Sequence, residues 1–373
     1  MTPPPPTRPG DFTCLRSRYL SQFEYNKSMN DSKFNNGKPR IRTLDLFCGA
    51  GGSSYGARQA GAKIVAAIDS WQTAVDTYNA NFGEGKARCE DIFDLDVEAF
   101  HTEIGEIDLI LASPECTNHS KAKGNGLRCE RSRETALEVV RFARVFMPRW
   151  IVIENVEEMQ GWSRHPELKE RLETLSYDCN EETLNAQDFG VPQSRKRLFM
   201  LCSRSGKPGK LNNSCKQISK ASDILTEKGY QLNPLRTERR AEATLAKADY
   251  AIRQMQKEGK ELQPFLIVYY GSAKAGGNGG WQTLDRPLRT ITTLDRFGYV
   301  VPGATREQDR MRMLQPDELR RAMGYDNKFK FANGITRRDK IKLMGNGVCP
   351  PVMKAIVESL IGQPKENGAQ SDC

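Results

Sequence analysis

Three short segments hold residue types that could do chemistry together. Ala112-Ser-Pro-Glu-Cys116-Thr-Asn-His-Ser120 places a cysteine just after an apolar run, Glu154 follows the apolar Trp150-Ile-Val-Ile153, and Gln193-Ser-Arg195-Lys-Arg197 alternates polar and cationic side chains on entering another run. A cysteine on a strand-to-loop turn is a candidate nucleophile. A carboxyl group behind four apolar residues is partly desolvated, which raises its pKa and suits it to donate a proton. Gln193, Arg195 and Arg197 would share one face of a strand, since side chains alternate across it. Taken singly, each segment has an ordinary alternative: an inert buried thiol, an acidic helix cap, a solvated run of charge.

Together they fit one chemistry. Carbon 5 of a pyrimidine is too weakly nucleophilic to accept a methyl group directly, but a thiolate adding at carbon 6 makes the ring an enamine. That addition needs a proton or hydrogen bond at ring nitrogen 3 and a cation near the 2-keto oxygen. Cys116, Glu154 and Arg197 could supply these in that order.

The elements that must position these groups alternate in kind. Strands are expected over 42–47, 63–68, 87–92, 107–113, 150–155 and 197–203, and helices over 53–60, 72–82, 131–147 and 166–176. Such alternation predicts an α/β fold, a mainly parallel sheet covered on both faces, with ligands at the carboxyl ends of its strands. The loop Asp45-Leu-Phe-Cys-Gly49-Ala-Gly51-Gly52 joins a strand to a helix, where glycines let the backbone approach a ligand and free amides face it. Ser54 occupies the third glycine position of G-x-G-x-x-G, so the loop is not the dinucleotide fingerprint. Asp69 and Asp91 lie at the ends of the next two strands, with Asp69 placed to accept hydrogen bonds from ribose hydroxyls. An adenosine-type cofactor is the reading they support; tight-turn glycines and surface carboxylates are the alternative.

After Arg204 the rhythm stops. Residues 204–264 carry 13 Lys/Arg against 7 Asp/Glu, within a chain of 373 residues and formal charge +9, so the basic excess favours a polyanionic partner. A helix is expected over 238–257, a strand over 265–270, a glycine-rich loop over 271–280, paired strands over 285–301, and helices over 316–323 and 351–361. Residues 1–40, with four consecutive prolines, read as a mostly disordered leader. No apolar run, the longest being 265–270, approaches the roughly 20 residues that span a bilayer. Neither a secretory signal nor a Cys-x-x-Cys pair is visible, and the three histidines leave no zinc framework. A cytoplasmic chain with reduced thiols, no metal and no membrane is expected.

From about Arg42 to Ile361 the sequence resembles the DNA cytosine-5 methyltransferases. The resemblance rests on Asp45-Leu-Phe-Cys-Gly-Ala-Gly-Gly52, Pro114-x-Cys116 with Ser120, Glu154-Asn-Val156, Gln193-Ser-Arg-Lys-Arg197, Arg286-Pro-Leu-Arg-Thr-Ile-Thr-Thr293, Met323-Gly-Tyr325 and Gly345-Asn-Gly-Val348, in the family's order and spacing. It implies a Rossmann-like, S-adenosylmethionine-dependent methyltransferase with a smaller target-recognition domain. The implied boundaries are 41–203 for the catalytic and cofactor-binding domain, 204–311 for target recognition, 312–362 for a hinge and returning helix, and 363–373 for a tail. It implies S-adenosylmethionine held by Phe47, Gly49, Ala50, Gly51, Asp69, Asp91, Ile92 and Asn346. Cys116 is the implied nucleophile and Glu154 the proton donor, with Arg195 and Arg197 supporting a cytosine flipped out of double-stranded DNA. A monomer serving DNA methylation, as in restriction–modification systems, is the expected setting, with Arg236, Arg239 and Arg240 among the cations facing phosphates.

Four positions depart from the family pattern: Glu115 stands where Pro usually precedes the nucleophile, Asp69 where Glu is usual, His119 where Phe is common, and Gly347 where Ala or a small hydroxyl often sits. Two other readings remain. The tRNA-directed branch of the fold typically carries a Cys-Phe-Thr tripeptide that this chain lacks, and a non-catalytic DNA-binding relative would not need Cys116, Glu154 and Arg197.

Overall fold

The computed structural model describes residues 40–115, 130–211, 218–226, 229–259, 261–270 and 280–362. Cys116, His119 and Ser120, the expected leader, most of the glycine-rich loop and the tail lie outside the described residues. The described residues from Ile41 onward form one compact unit.

The first sheet contains β1 (Arg42–Leu46), β2 (Lys63–Asp69), β3 (Ala87–Cys89), β4 (Leu109–Ala112), β5 (Trp150–Asn155), β6 (Asp178–Asn185) and β7 (Lys196–Ser203), in the order β3-β2-β1-β4-β5-β7-β6. β3, β2, β1, β4 and β5 run parallel, whereas β7 is antiparallel to both β5 and β6. The helices between them are α1 (Gly52–Gln59), α2 (Gln72–Phe82), α3 (Val97–Ile104), α4 (Glu130–Phe146) and α5 (His165–Thr174). Chain order reverses direction between β1 and β4, the switch point where open α/β sheets form a crevice at the strands' carboxyl ends.

Residues along the central strands alternate between two cores. Leu109, Leu111, Trp150, Val152, Phe199 and Leu201 face one cluster, while Ile110, Ala112, Ile151, Ile153, Leu198 and Met200 face the other. A sheet buried on both sides needs near-continuous apolar strands, and 109–112 and 150–153 are that signal. β6 lacks it. Its sequence Asp-Cys-Asn-Glu-Glu-Thr-Leu-Asn is mostly polar because it is an edge strand, buried only in part.

A second sheet has the order β10-β9-β11-β12-β8, formed by β8 (Asn233–Pro234), β9 (Phe265–Val268), β10 (Trp281–Thr283), β11 (Phe297–Val301) and β12 (Arg310–Met313). One of its faces buries Phe265, Ile267, Val300 and Met311 against Ala248, Ala251 and Met255 of α6 (Glu242–Lys257). Its other face contributes Leu266, Val268 and Phe297 to the core shared with the first sheet. β12 runs two residues past position 311. There Arg312 places both terminal nitrogens 2.7 Å from the buried Glu318 carboxylate, joining the sheet to α7 (Pro316–Ala322).

Residues 285–296 are not the strand expected of them. Pro287 cannot complete a ladder, and the backbone groups here bond sideways instead: Leu288 N to Pro192 O, Ser194 N to Leu288 O, and Ile291 N to the Gln193 side chain.

The chain ends on α8 (Arg337–Asn346) and α9 (Pro350–Gly362). α8 is capped by Thr336, whose hydroxyl accepts from Asp339 N. α9 packs against α1 so closely that a Cβ at Gly56 would stand 2.2 Å from Pro350 O and 2.8 Å from Lys354 N. Among the described residues no helix is long and apolar enough to cross a membrane.

The α1–α9 contact predicts the sign of a substitution. Ala is favoured over Gly in a helix by about 1 kcal/mol, yet overpacking against backbone costs about 1–3 kcal/mol, so Gly56→Ala should lower the urea midpoint at unchanged slope. Gly161→Ala, where nothing among the described residues lies within 4 Å of the new methyl, should leave the midpoint nearly unmoved.

Candidate active site

Glu154 and Arg197 meet because of register. In the β5–β7 pairing Glu154 lies opposite Phe199, so Arg197, two residues before Phe199, falls diagonally across on the same face. Arg197 Nε stands 3.3 Å from Glu154 Oε1. Glu154 is 5% exposed. Burial pushes its carboxyl above the usual range, while the Arg197 and Arg195 charges pull it back. Such a group can hold a proton and deliver it beside a fixed cation. Asn155 bonds from Nδ2 to Pro114 O at 3.3 Å, tying the end of β5 to the backbone two residues before Cys116.

Arg195 is turned toward backbone carbonyls. It precedes β7 and is 3% exposed. Its guanidinium donates to Ile291 O at 3.0 Å, Gly345 O at 2.8 Å and Gly347 O at 2.9 Å. Gln193 works the same way, donating to Ala322 O and accepting from Ile291 N. Only Arg197 of the three lies in the strand. With its terminal nitrogens on carbonyls, Arg195 holds residues 291 and 345–347 against β7.

The glycine loop turns sharply through left-handed conformations, with φ of 57° at Phe47, 53° at Gly49 and 87° at Gly51. Among the described residues nothing lies within 4 Å of where a Cβ on Gly49 would stand. Both oxygens of Asp69 brace this turn, Oδ2 accepting from Gly49 N at 2.8 Å and Oδ1 from Trp71 N at 2.9 Å. Phe47 and Gly49 keep surface at the crevice, whereas Ala50 and Gly51 are buried and the Gly51 amide already donates to Cys48 O. Gly51 therefore shapes the turn rather than offering its N–H to a ligand. Asp91 lies past the end of β3, in a turn where Oδ1 accepts from Phe93 N, followed by the buried Ile92. Asn346, at the end of α8, is exposed.

Two neighbours of this crevice carried little sequence signal. Lys342 of α8 places Nζ 3.9 Å from the centroid of the Trp71 ring, and its charge favours ionised Asp69. Trp71 follows Asp69 by two positions, which is a clue; nothing in its own neighbourhood marks Lys342. Beneath the loop, Tyr78 OH donates to Ser54 Oγ, which donates to Asp45 Oδ2, each at 2.6 Å. Asp45 Oδ1 is buried with no hydrogen-bond partner among the described residues.

The basic insertion also divides. Arg236 pairs with Asp249 at 2.6 Å and Asp309 at 3.0 Å, and Arg240 donates to Leu235 O and Pro234 O. These two brace the second sheet internally. Arg239 is exposed.

A profile described as C-5 cytosine-specific DNA methylase matches residues 41–362. The chain belongs to this family. It is 30% identical over 289 residues to the Type II methyltransferase M.HgiDI of Herpetosiphon aurantiacus, covering 73% of this chain and 88% of the relative. It is 26% identical over 333 residues to the Type II methyltransferase M.HhaI of Haemophilus parahaemolyticus, covering 86% and 94%. The fold is similar to that of the S. pombe Dnmt2 methyltransferase, with TM-score 0.59 and 19% identity over 87% of this chain and 97% of that one. The C-5 cytosine methylase takes its methyl group from S-adenosylmethionine, and the glycine turn with the Asp69 carboxylate beside it offers polar groups of the kind an adenosine-bearing cofactor needs.

The bare oxygen of Asp45 gives a prediction for the cofactor-free methylase. Burial pushes this carboxyl up to about 7, the Ser54 hydrogen bonds opposing and the Asp69 charge adding. A raised carboxyl contributes stability that is full below its unfolded pKa and is lost as pH rises through its folded one. Asp45→Asn should therefore gain on the wild type by about 2 kcal/mol between pH 5 and pH 8, measured as the difference of urea unfolding free energies at the two pH values.

Proposed function

We propose that this methylase acts on cytosine in double-stranded DNA through a covalent Cys116 adduct. The observation that carries the reading is the buried Glu154 carboxyl beside Arg197, at a strand end tied by Asn155 to the backbone leading into Cys116. A proton donor and a cation so placed match the two demands of nucleophilic addition to a pyrimidine.

In this reading the Cys116 thiolate adds to carbon 6, and Glu154 holds the proton that nitrogen 3 needs as the ring's electron pair moves toward carbon 5. Arg197 faces the 2-keto oxygen and fixes the Glu154 carboxyl. Arg195 and Gln193 are positioning residues, keeping β7 in register with residues 291 and 345–347. S-adenosylmethionine, when bound, supplies the methyl group and leaves as the neutral thioether. Loss of the carbon 5 proton then expels Cys116 and restores the aromatic ring. Phe47, Gly49, Ile92, Asp69, Asp91 and Asn346 are the residues that would hold the cofactor, with Asp69 toward the ribose.

The target base has to leave the duplex to reach such a site. Residues 204–311 are assigned to reading DNA, supported by their basic excess and by the exposed Arg239, with phosphate contacts setting position and base contacts setting sequence. The chain is read as a monomer working in the cytoplasm.

Transfer of labelled methyl groups, offered duplex DNA and tRNA in parallel, should go to DNA. Cys116→Ser should abolish transfer while S-adenosylmethionine binding survives, and Glu154→Gln should slow turnover by about 100-fold or more, as for a lost general acid. Label entering tRNA, or a Cys116→Ser enzyme at near-normal rate, would overturn the assignment.

A further inference from the structure

The turn that carries Asp91 and Ile92 follows β3, which is three residues long and stands at the edge of the first sheet, paired to β2. So short a ladder fixes the strand but not the segment beyond it. Within that segment Phe93 N donates to Asp91 Oδ1 and Asp94 N to Asp91 O, each at 3.1 Å, and Asp96 caps α3 by accepting from Ala99 N at 3.0 Å. Two of its carbonyls turn to another helix. Arg141 of α4 donates from Nη1 to Leu95 O at 2.8 Å and from Nη2 to Ile92 O. Its Nε donates to Glu138 Oε2 at 2.9 Å, one turn earlier in the same helix, which fixes the plane of the guanidinium. Phe93 and Leu95 pack, partly buried, on the core cluster to which Leu137 and Val140 of α4 belong. One planar cation thus clasps the segment at two points three residues apart, a geometry that the point charge of a lysine does not reproduce.

Strand order says which end of the cofactor this turn meets. From β3 the sheet runs through β2, with Asp69 at its end, and β1, with the glycine loop, to β4 and β5, where Glu154 faces Arg197. The methyl group has to point toward Glu154, and the ribose is assigned to Asp69. The turn after β3 therefore lies beyond the ribose, on the side of the adenine base. We propose that Arg141 is a positioning residue for S-adenosylmethionine, its guanidinium holding Asp91 and Ile92 against the adenine end of the cofactor. The inference rests on the reading that Asp91 and Ile92 hold the cofactor. Adenine takes no part in methyl transfer, so this turn binds ground state and transition state alike, and its loss shows in KM rather than in kcat.

The test is calorimetric binding of S-adenosylmethionine and S-adenosylhomocysteine, which share the adenine end, to the full-length protein without DNA, joined to steady-state methylation of duplex DNA. Arg141→Met should weaken both ligands by about tenfold, in the range of one lost hydrogen bond to a charged group. The KM for S-adenosylmethionine should rise by the same factor, while kcat at saturating cofactor stays within about twofold of the wild type. Arg141→Lys keeps the charge and loses the fork; it should bind about threefold more weakly than the wild type, and it carries the test if Arg141→Met melts below the assay temperature. Arg144→Met removes an exposed cation from the same helix and should bind as the wild type does. Asp91→Ala, at an exposed position of the turn, examines the parent reading. Both Arg141 variants binding normally while Asp91→Ala weakens both ligands, a loss in kcat with affinity unchanged, or equal weakening by Arg144→Met overturns the inference. Normal binding by Asp91→Ala would instead overturn the assignment of this turn to the cofactor.

Discussion

A carboxyl group buried at a strand end persists only if it keeps its proton or faces a cation, and Glu154 is placed for both. Removing a charge from water is expensive unless it is paired, and the pairing here depends on the direction of one strand. Were β7 parallel to β5, as β4 is, the residue entering it would sit at the opposite end of the sheet. Because β7 runs antiparallel, Arg197 enters beside Glu154. The Arg195 and Gln193 contacts to residues 291, 322, 345 and 347 then fix that entry against segments from the last third of the chain. The long return from the second sheet to α9 is thus part of what holds the acid in place.

The cofactor loop shows the same economy of contact from the other side of the switch point. Asp69 braces the glycine turn with both oxygens, and α1 beyond it is pressed against α9 at Gly56. The turn and the acid are therefore held by one C-terminal unit, α8 and α9, which reaches Lys342 over Trp71 on one flank and Gly347 under Arg195 on the other.

Much of this was legible because burial leaves a strong mark on sequence. Doubly covered strands such as 150–153 must be apolar, so the polar residue that ends such a run stands out, and Glu154 did. β6 left no such mark, since an edge strand tolerates Asn and Glu. Residues 286–293 misled for a related reason: Leu, Ile and Thr there look like strand, yet their backbone groups satisfy a side chain and an irregular segment far away in sequence. Arg195, Arg236 and Arg240 read as outward cations because sequence shows charge but not partners; two sit on carbonyls and one between two aspartates. Lys342 was hidden altogether, since its meaning comes only from the Trp71 ring it covers.

The central claim is that Cys116 forms a bond to carbon 6 of a cytosine held beside Glu154 and Arg197. It is tested most directly by incubating the protein and S-adenosylmethionine with duplex DNA in which cytosine is replaced by 5-fluorocytosine, then digesting the complex and locating the modified peptide by mass spectrometry. Fluorine blocks the final proton removal, so the account predicts a stable protein–DNA adduct carried by Cys116. Turnover-competent protein that forms no such adduct, or forms it on another cysteine, would contradict the account.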